Sequence, residues 1–191
     1  MKFISEAFLP TRFGKFRIHA FIDDDGKEHL ALTRCMHPKH EPVPVRVHSR
    51  CITGDTLTSQ RCDCRDQLEA AMEYLEKKEC GILIYLDQEG RGIGLANKIR
   101  AYALQDQGMD TVEANVKLGF EEDMRDFSAA AEILKYLGVT KIMLLTNNPG
   151  KISSLEDNGI EVVERIPLIT KTNKYNEKYI KTKKEKMGHQ L

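Results

Sequence analysis

The stretch GILIYLDQEGRGIGLANKIRAYALQDQ, residues 81–107, indicates the fold class of this chain. Its first part, residues 82–86, is a short run of branched and aromatic side chains that is typical of a buried strand. Closely spaced glycines follow, and the apolar spacing from about residue 92 to residue 107 predicts a helix. A strand that leads through a short loop into a helix is half of a crossover unit, which favours parallel strands.

The segments before this stretch predict a different kind of pairing. Apolar and polar residues alternate at 16–21 and at 43–48, which is typical of antiparallel strands, and Asp and Gly residues at 24–26 predict a hairpin turn. Apolar residues then recur at helical spacing over 66–79, which predicts an amphipathic helix. The N-terminal part of the chain is therefore expected to form antiparallel strands.

The segments after the stretch return to alternating strands and helices. We expect a helix over 128–136, a strand over 141–146, a short helix that stops at Gly159 and a strand over 161–166. These segments imply further crossovers and a largely parallel inner sheet. The predicted class is α/β, or α+β, with a mixed sheet that has antiparallel N-terminal strands and helix crossovers.

Three thiols converge in the segment CITGDTLTSQRCDC, residues 51–64. Structural zinc sites usually have four Cys or His ligands, whereas catalytic sites keep three protein ligands and one open position. Cys51, Cys62 and Cys64 match the second pattern. The alternative is a set of buried core thiols, although the polar flanking residues disfavour it. Outside this segment, Cys35 and Cys80 are interpreted as unpaired core or surface thiols, and His37 and His40 as part of a solvated loop or as outside ligands.

A second candidate site is the glycine-rich segment 87–95, which connects the strand and helix of residues 81–107. Such a loop lets the backbone approach a phosphate closely, and Arg91 can add a charged fork. The alternative is that the glycines serve the turn for steric reasons alone. Basic residues near predicted loops and element ends support an anionic ligand: Arg46, Arg50, Arg91, Lys98, Arg100, Arg125 and Lys151.

Two further features have both a structural and a functional interpretation. In the segment 123–126, Asp126 suits the start of the following helix and Arg125 suits a surface ion pair, so chemistry alone does not decide its role. Tyr102 shares a predicted helical face with Leu95 and Ile99, where a core or rim position is the usual interpretation.

Composition limits the class of protein. The chain has 191 residues with 29 basic and 29 acidic side chains, so no global charge favours nucleic acid or an anionic membrane. No apolar run reaches the roughly 20 residues needed to cross a bilayer, and the first residues do not resemble a signal peptide. We therefore expect a cytoplasmic protein, in which five Cys residues favour metal or thiol chemistry over disulfides. Residues 1–170 are expected to form one domain, and the Lys-rich residues 171–191 a solvated tail.

Together these motifs closely resemble the GTP cyclohydrolase II family, which catalyses the first step of riboflavin synthesis. The matching runs cover nearly the whole chain: residues 46–49, 51–55, 61–64, 88–95, 97–106, 110–115, 144–149 and 186–189. The resemblance implies zinc-dependent opening of the guanine imidazole ring of GTP around a zinc and nucleotide cleft. It also implies loss of C8 as formate and Mg²⁺-assisted release of pyrophosphate, which leaves a pyrimidine ribosyl 5′-phosphate.

The resemblance also implies residue roles. It assigns one Zn²⁺ per chain to Cys51, Cys62 and Cys64. It assigns a nucleophilic role to Arg125 and a proton-accepting role to Asp123. It implies that Tyr102 is needed for the reaction to proceed past the formylated intermediate. The residues that match the family's substrate contacts are Arg46, Val47, His48, Ser49, Gln67, Glu89, Gly90, Arg91, Thr111, Thr146 and Lys151. We add the adjacent Arg50 to this set of expected contacts.

Two residues depart from the family pattern. Arg50 stands where Glu is usual and Arg65 where Gly is usual, so positive charge is added on both sides of the thiol segment. The resemblance implies a homodimer with GTP as its substrate. The balanced charge and the absence of a long apolar run predict neither a nucleic acid nor a membrane as a partner. There are three alternatives. The first is a paralogue with the same chemistry in another pathway, the second is a catalytically silent nucleotide-binding homologue, and the third is an RNA-binding domain with structural thiols.

Overall fold

The computed structural model describes residues 1–35, 42–121, 123–185, 188 and 190. Within these residues, seven strands form one sheet in the order β1-β2-β3-β5-β4-β6-β7. The strands are β1 (Lys2–Thr11), β2 (Gly14–Ile22), β3 (Glu28–Thr33), β4 (Val43–Ser49), β5 (Ile82–Leu86), β6 (Lys141–Leu145) and β7 (Glu161–Ile166). His37, His40 and three residues of the 186–189 motif lie outside the described residues, so the interpretations that concern them stay predictions.

Contacts within the chain divide it into two compact units. The first unit comprises Met1–His48, Leu68–Asp87 and Asp126–Leu168, and it carries the sheet apart from the last residue of β4. The second unit comprises Ser49–Gln67, Gln88–Arg125 and Ile169–Leu191. The predicted division at residue 170 stays a prediction.

The N-terminal strands pair antiparallel, as their alternation predicts. β2 pairs with β1 and β3, and β3 pairs with β5. The turn between β2 and β3 is closed by Asp23, whose carboxylate accepts hydrogen bonds from the backbone N–H groups of Asp25 at 3.0 Å and Lys27 at 2.8 Å. The predicted hairpin is confirmed.

The predicted antiparallel pairing of residues 43–48 is wrong in direction for the β4–β6 pair. β4 pairs parallel with β6, which in turn pairs parallel with β7. The alternation that indicated a half-exposed strand is misleading, because Arg46 and His48 are only 4% and 2% exposed. Buried polar groups of this kind need hydrogen-bond partners, and Arg46 Nη1 donates to the carbonyl of Leu145 at 2.9 Å. The parallel β4–β6 and β6–β7 pairs agree with the expected parallel part of the sheet, which joins the antiparallel part where β5 pairs with β3.

Helices cover both faces of the sheet in the first unit. Successive side chains of a strand point to opposite faces, so Ile82 and Ile84 of β5 enter one apolar cluster and Leu83 enters the other. Helices α4 (Ser128–Tyr136) and α5 (Pro149–Asp157) pack on the first cluster. Helix α1 (Cys64–Glu76) packs its buried residues on the second. The sequence predicted these three helices to within a few residues.

The second unit contains α2 (Gly94–Asp106), α3 (Thr111–Lys117) and α6 (Glu177–Glu185). Helix α3 was not predicted, although Asp110 and Glu113 form a capping box that marks its start. The expected solvated tail is wrong for α6, because Thr182 and Lys183 are buried. No helix in the described part of the chain has the length and apolar character required to cross a membrane.

Cys35 and Cys80 form a disulfide, which corrects their interpretation as unpaired thiols. The pairing of β3 with β5 explains how residues 45 positions apart meet. Thr33 lies opposite Ile82 in that pair, and the register continues two residues further to bring the two Cα atoms within 5.0 Å. The sequence alone gives no strand register and therefore did not reveal this pair.

Candidate functional site

The three predicted metal-binding thiols lie together in the second unit. Cys51 follows β4, Cys62 lies in the following loop, and Cys64 is the first residue of α1. Their sulfur atoms all lie within 4.8 Å of one another, and Cys51 Sγ is 3.8 Å from Cys62 Sγ. Two thiolates bound to one tetrahedral zinc at about 2.3 Å lie about 3.8 Å apart. The donor set and its spacing therefore fit zinc.

Gly54 provides the space for this cluster. It lies in a π-helical turn, Ile52–Thr56, that begins directly after Cys51. A Cβ atom at Gly54 would lie 2.9 Å from Cys62 Sγ and 3.2 Å from Cys51 Sγ. The first distance is shorter than real Cβ contacts and the second is tighter than most, so a side chain here would force the turn or the sulfurs to move.

Lys98 of α2 lies at the thiol cluster, although the sequence indicates it only as one of several basic residues. Its Nζ donates to Cys51 Sγ at 3.1 Å and to Glu89 Oε1 at 2.7 Å, and it is 8% exposed. Glu89 in turn accepts a 2.7 Å hydrogen bond from the backbone N–H of Ile52. A buried chain of groups therefore connects the glycine-rich segment to the thiol turn. A buried lysine needs a negative partner. The contacts of Lys98 with Cys51 and Glu89 therefore indicate that it belongs to the site.

The three thiols are electrostatically coupled. Hydrogen bonds from Cys62 and Cys64, with the charge of Lys98, hold the pKa of Cys51 well below its usual value. The hydrogen bond to Cys51 raises the pKa of Cys62 to about 11. Burial works to lower the pKa of Lys98, but the Cys51 charge and the Glu89 hydrogen bond outweigh it and the pKa is raised. Hydrogen bonding to Cys51 also raises the pKa of Cys64. The cluster therefore favours negative charge on Cys51, next to the Lys98 cation, and a bound metal would displace the protons of the other two thiols.

Tyr102 lies on the same side of α2 as Lys98, four residues later. Its hydroxyl is 3.3 Å from Thr53 Oγ1. The guanidinium of Arg61 lies over its ring at 4.9 Å from the ring centre, and Arg61 also pairs with Asp106. Burial raises the pKa of Tyr102, so the phenol keeps its proton at neutral pH. The structure thus places Tyr102 beside the thiol turn, where its hydroxyl contacts Thr53.

Asp123 and Arg125 form a partly buried pair. Arg125 Nε donates to Asp123 Oδ1 at 2.8 Å, its Nη2 donates to Oδ2, and its backbone N–H donates to Oδ1 at 3.1 Å. The Arg125 side chain is 13% exposed, which argues against a surface ion pair. Burial works to raise the pKa of Asp123, but the Arg125 contacts outweigh it and the pKa is lowered. The pair is therefore ionised at neutral pH.

The glycine-rich segment contacts this pair through its backbone. The backbone N–H of Met124 donates to the carbonyl of Arg91 at 3.1 Å. A Cβ atom at Gly92, where φ is +92°, would lie 3.0 Å from the Met124 carbonyl oxygen, so a side chain there would be both crowded and strained. Arg91 itself has a left-handed φ of 62°. A non-glycine residue in this region is strained, and such strain is common at functional sites.

The other predicted substrate contacts in the second unit lie in varied settings. Gln67 Nε2 donates to Asp63 Oδ2 at 2.5 Å, and Thr111 is the first residue of α3. Ser49 Oγ is buried with no hydrogen-bond partner in the described residues, as expected of a group reserved for a ligand. Arg50 is half-buried, and Gly90 lies in the 3-10 turn Glu89–Gly92.

In the first unit, the predicted contacts lie where β4 and β6 end. Lys151 of α5 is 5% exposed, and its Nζ donates to the carbonyl of Val47 at 2.7 Å. The ring of His48 stacks on Tyr85 with 5.5 Å between ring centres. Thr146 directly follows β6, and its hydroxyl accepts from the N–H of Asn148 at 3.1 Å. Ligands of α/β proteins commonly bind beyond the carboxyl ends of parallel strands, so these positions suit substrate contacts.

Asp126 has the structural role that its position suggests. Its carboxylate accepts a 2.9 Å hydrogen bond from the backbone N–H of Ser128 at the start of α4. Phe127 occupies the cap position itself, so Asp126 lies one residue earlier than expected. No site role for Asp126 is needed to explain it.

Known proteins match this chain over almost its whole length. A model of the family described as GTP cyclohydrolase II matches residues 2–167. A protein named GTP cyclohydrolase-2 from Neisseria meningitidis is 54% identical over 99% of this chain and 96% of its own length. One of the same name from Picrophilus torridus is 50% identical over 99% of this chain and 98% of its own.

A solved structure, RibBX, is described as a two-domain 3,4-dihydroxy-2-butanone 4-phosphate synthase from A. baumannii. It superposes with a TM-score of 0.45 at 20% identity, over 89% of this chain and 40% of that one. The matched residues 2–167 include the thiol triad, the glycine-rich segment and the Asp123–Arg125 pair. This chain therefore belongs to the GTP cyclohydrolase II family.

Proposed function

We propose that this protein is a zinc-dependent GTP cyclohydrolase II. It hydrolyses GTP to 2,5-diamino-6-ribosylamino-4(3H)-pyrimidinone 5′-phosphate, formate and pyrophosphate, the first step of riboflavin biosynthesis. The observation that carries the proposal is the cluster of three sulfurs within 4.8 Å, with Lys98 bonded to Cys51. Three thiolates and no fourth protein ligand in the described cluster are typical of a catalytic zinc.

The chemistry of the thiols supports zinc rather than a harder cation. Cys51, Cys62 and Cys64 offer sulfur donors, which suit zinc far better than Mg²⁺. When bound, zinc would act as a Lewis acid and lower the pKa of a water molecule toward neutral pH. Lys98 offsets part of the negative charge of the thiolates through its 3.1 Å contact with Cys51. It also holds Glu89, whose carboxylate fixes the thiol turn at Ile52.

Tyr102 is proposed to act after ring opening, when the formyl group leaves. Its phenol keeps a proton because burial raises its pKa. Thr53 orients the hydroxyl, and Arg61 and Lys98 contact the ring. A held phenol can pass a proton to the departing amine nitrogen, which is general acid catalysis.

Arg125 and Asp123 are proposed to serve the triphosphate, with Mg²⁺ assisting release of pyrophosphate. The guanidinium is charged and fixed by two hydrogen bonds to Asp123. A fixed, charged fork stabilises negative charge that develops on a phosphate. Arg91 can add a second cation at the strained glycine-rich segment. The remaining contacts to GTP are proposed for the residues that match the substrate contacts of the family.

The proposal also covers the setting of the enzyme. A homodimer is proposed from the family resemblance, together with a cytoplasmic location. No nucleic acid or membrane is proposed as a partner. A paralogue that uses the same chemistry in another pathway is the second candidate, favoured by Arg50 and Arg65, which add charge beside the thiols.

Incubation of the purified protein with GTP, Zn²⁺ and Mg²⁺ tests the proposal. We expect formate and pyrophosphate in equal amounts, and mass spectrometry should identify the diaminopyrimidine monophosphate. A different pyrimidine product would favour the paralogue. Failure to release formate under any metal condition, by protein that binds GTP, would instead support a silent nucleotide-binding homologue.

Replacement of Tyr102 by Phe is expected to separate the two hydrolytic stages. Loss of a positioned general acid typically costs about 10²- to 10⁴-fold in rate. A formylated pyrimidine should therefore accumulate while GTP is still consumed, and chromatography of the reaction over time would detect it. Tyr136→Phe is the matched control, because Tyr136 is 57% exposed in the first unit. Normal product at the normal rate from Tyr102→Phe would show that Tyr102 only packs.

A further inference from the structure

Asp63 is a fully buried carboxylate between two of the three proposed metal ligands, Cys62 and Cys64. It is 0% exposed, although its charge would normally favour solvent. Its side chain is held from three directions: Lys183, Gln67 and Thr170 each direct a donor at it. The carboxylate of an ordinary loop residue would point to solvent, so the burial of Asp63 requires its own explanation.

The strongest of these contacts comes from the C-terminal helix. Lys183 Nζ of α6 is 2.6 Å from Asp63 Oδ1, and the two side chains are 9% and 0% exposed. Thr170 Oγ1 donates to Asp63 Oδ2 at 3.2 Å. A buried ion pair is costly to desolvate and gives little net stability, so such a pair is more readily explained by the geometry that it fixes.

Further contacts fix α6 in the second unit. The side-chain oxygen of Asn173 accepts hydrogen bonds from the backbone of Tyr175 and Asn176 directly before the helix. Within α6, the ring of Tyr179 lies 4.5 Å from Lys183 Nζ and 6.0 Å from the guanidinium carbon of Arg91. Lys183 therefore reaches Asp63 from a helix whose start and inner face are both defined.

We propose that the Lys183–Asp63 ion pair is a positioning device for the metal site. The backbone of Asp63 joins the two ligands Cys62 and Cys64, so anchoring its side chain fixes the directions of both sulfurs. Groups that orient metal ligands in this way commonly affect metal affinity about 10- to 100-fold when removed. Tight metal binding by the triad therefore requires α6. This inference rests on the proposed function, because it takes the triad to be the metal site.

Titration with Co²⁺, followed by the sulfur-to-cobalt charge-transfer absorption, tests the inference without GTP. In the full chain, Lys183→Met is expected to weaken Co²⁺ affinity about 10- to 100-fold. Lys184→Met is the matched control, because Lys184 is exposed on the same helix and should bind as wild type does. Lys183→Arg keeps the charge and should recover most of the lost affinity. Equal affinities of wild type and Lys183→Met would overturn the inference.

Two further measurements separate positioning from a general loss of structure. In an Asp63→Asn background, Lys183→Met should change the affinity little further, because its partner is already neutral. If Lys183→Met does not fold, Thr170→Val removes only one hydroxyl and should weaken Co²⁺ binding about 2- to 10-fold; unchanged affinity there would also overturn the inference. A wild type that shows no charge-transfer band would instead refute the metal site of the proposed function.

Discussion

Cys62→Ser is expected to abolish both metal binding and formate release. The hydroxyl of serine stays protonated at neutral pH, so it is a poor replacement for a thiolate ligand of zinc. Cys62 Sγ lies 3.8 Å from Cys51 Sγ, and no other described Cys, His, Asp or Glu completes a cluster of this kind there. With only two sulfurs left, the site loses a third of its protein ligands. Metal content by mass spectrometry and formate release from GTP measure the two effects.

A double variant, Cys35→Ser with Cys80→Ser, is the matched control. It removes the two cysteines outside the triad, which form the disulfide of the first unit. We expect it to keep wild-type metal content, because neither sulfur belongs to the cluster. Full formate release by a metal-free Cys62→Ser protein would contradict the catalytic zinc. Loss of metal from the control, with Cys62→Ser unaffected, would place the metal elsewhere.

The sequence predicts the elements of the fold better than their pairing. Periodicity locates α1 and β5 because each has one clearly apolar face or run. It does not give the direction of β4, where Arg46 and His48 appear to mark a solvent face but are buried. Alternation reports polarity, whereas burial depends on whether distant groups such as the Leu145 carbonyl can pair with a polar side chain.

The same limit explains what was missed at the candidate site. The spacing of Cys51, Cys62 and Cys64 could be read directly, since ligand type and local spacing carry the signal. Lys98 could not be separated from the other cations, because its importance lies in a 3.1 Å contact with a residue 47 positions away. Lys183 is a similar case, since a Lys-rich segment resembles a solvated tail until its partner at position 63 is known.

Arg125→Lys is expected to lower the rate of pyrophosphate release without abolishing it. A charge clamp keeps its positive charge in this variant and loses the bidentate fork. Loss of one charge-assisted contact costs about 1.5–3 kcal/mol, or roughly ten- to a hundredfold in rate. Arg12→Lys is the matched control, because the Arg12 side chain is 60% exposed in a surface ion pair with Glu69, and it should retain the wild-type rate.

The ion pair with Asp123 favours the clamp over the nucleophile that the family resemblance assigns to Arg125. A nucleophilic nitrogen would have to lose its proton, and the pKa of an arginine already lies above about 12. Burial acts to lower the pKa of Arg125, but the hydrogen bonds and charge of Asp123 outweigh it and the pKa is raised. Asp123, whose pKa is lowered by the same contacts, is correspondingly a weak proton acceptor.

Rapid quenching with GTP labelled at the α-phosphate separates the two mechanisms. The clamp predicts that no label becomes covalently attached to the wild-type protein, and that Arg125→Lys still turns over slowly. Label attached to Arg125 in the wild type would refute the clamp, because only a nucleophile forms that bond. Turnover by Arg125→Lys without any adduct would refute the nucleophile, since the attacking nitrogen would be gone while the charge that stabilises the phosphate remains.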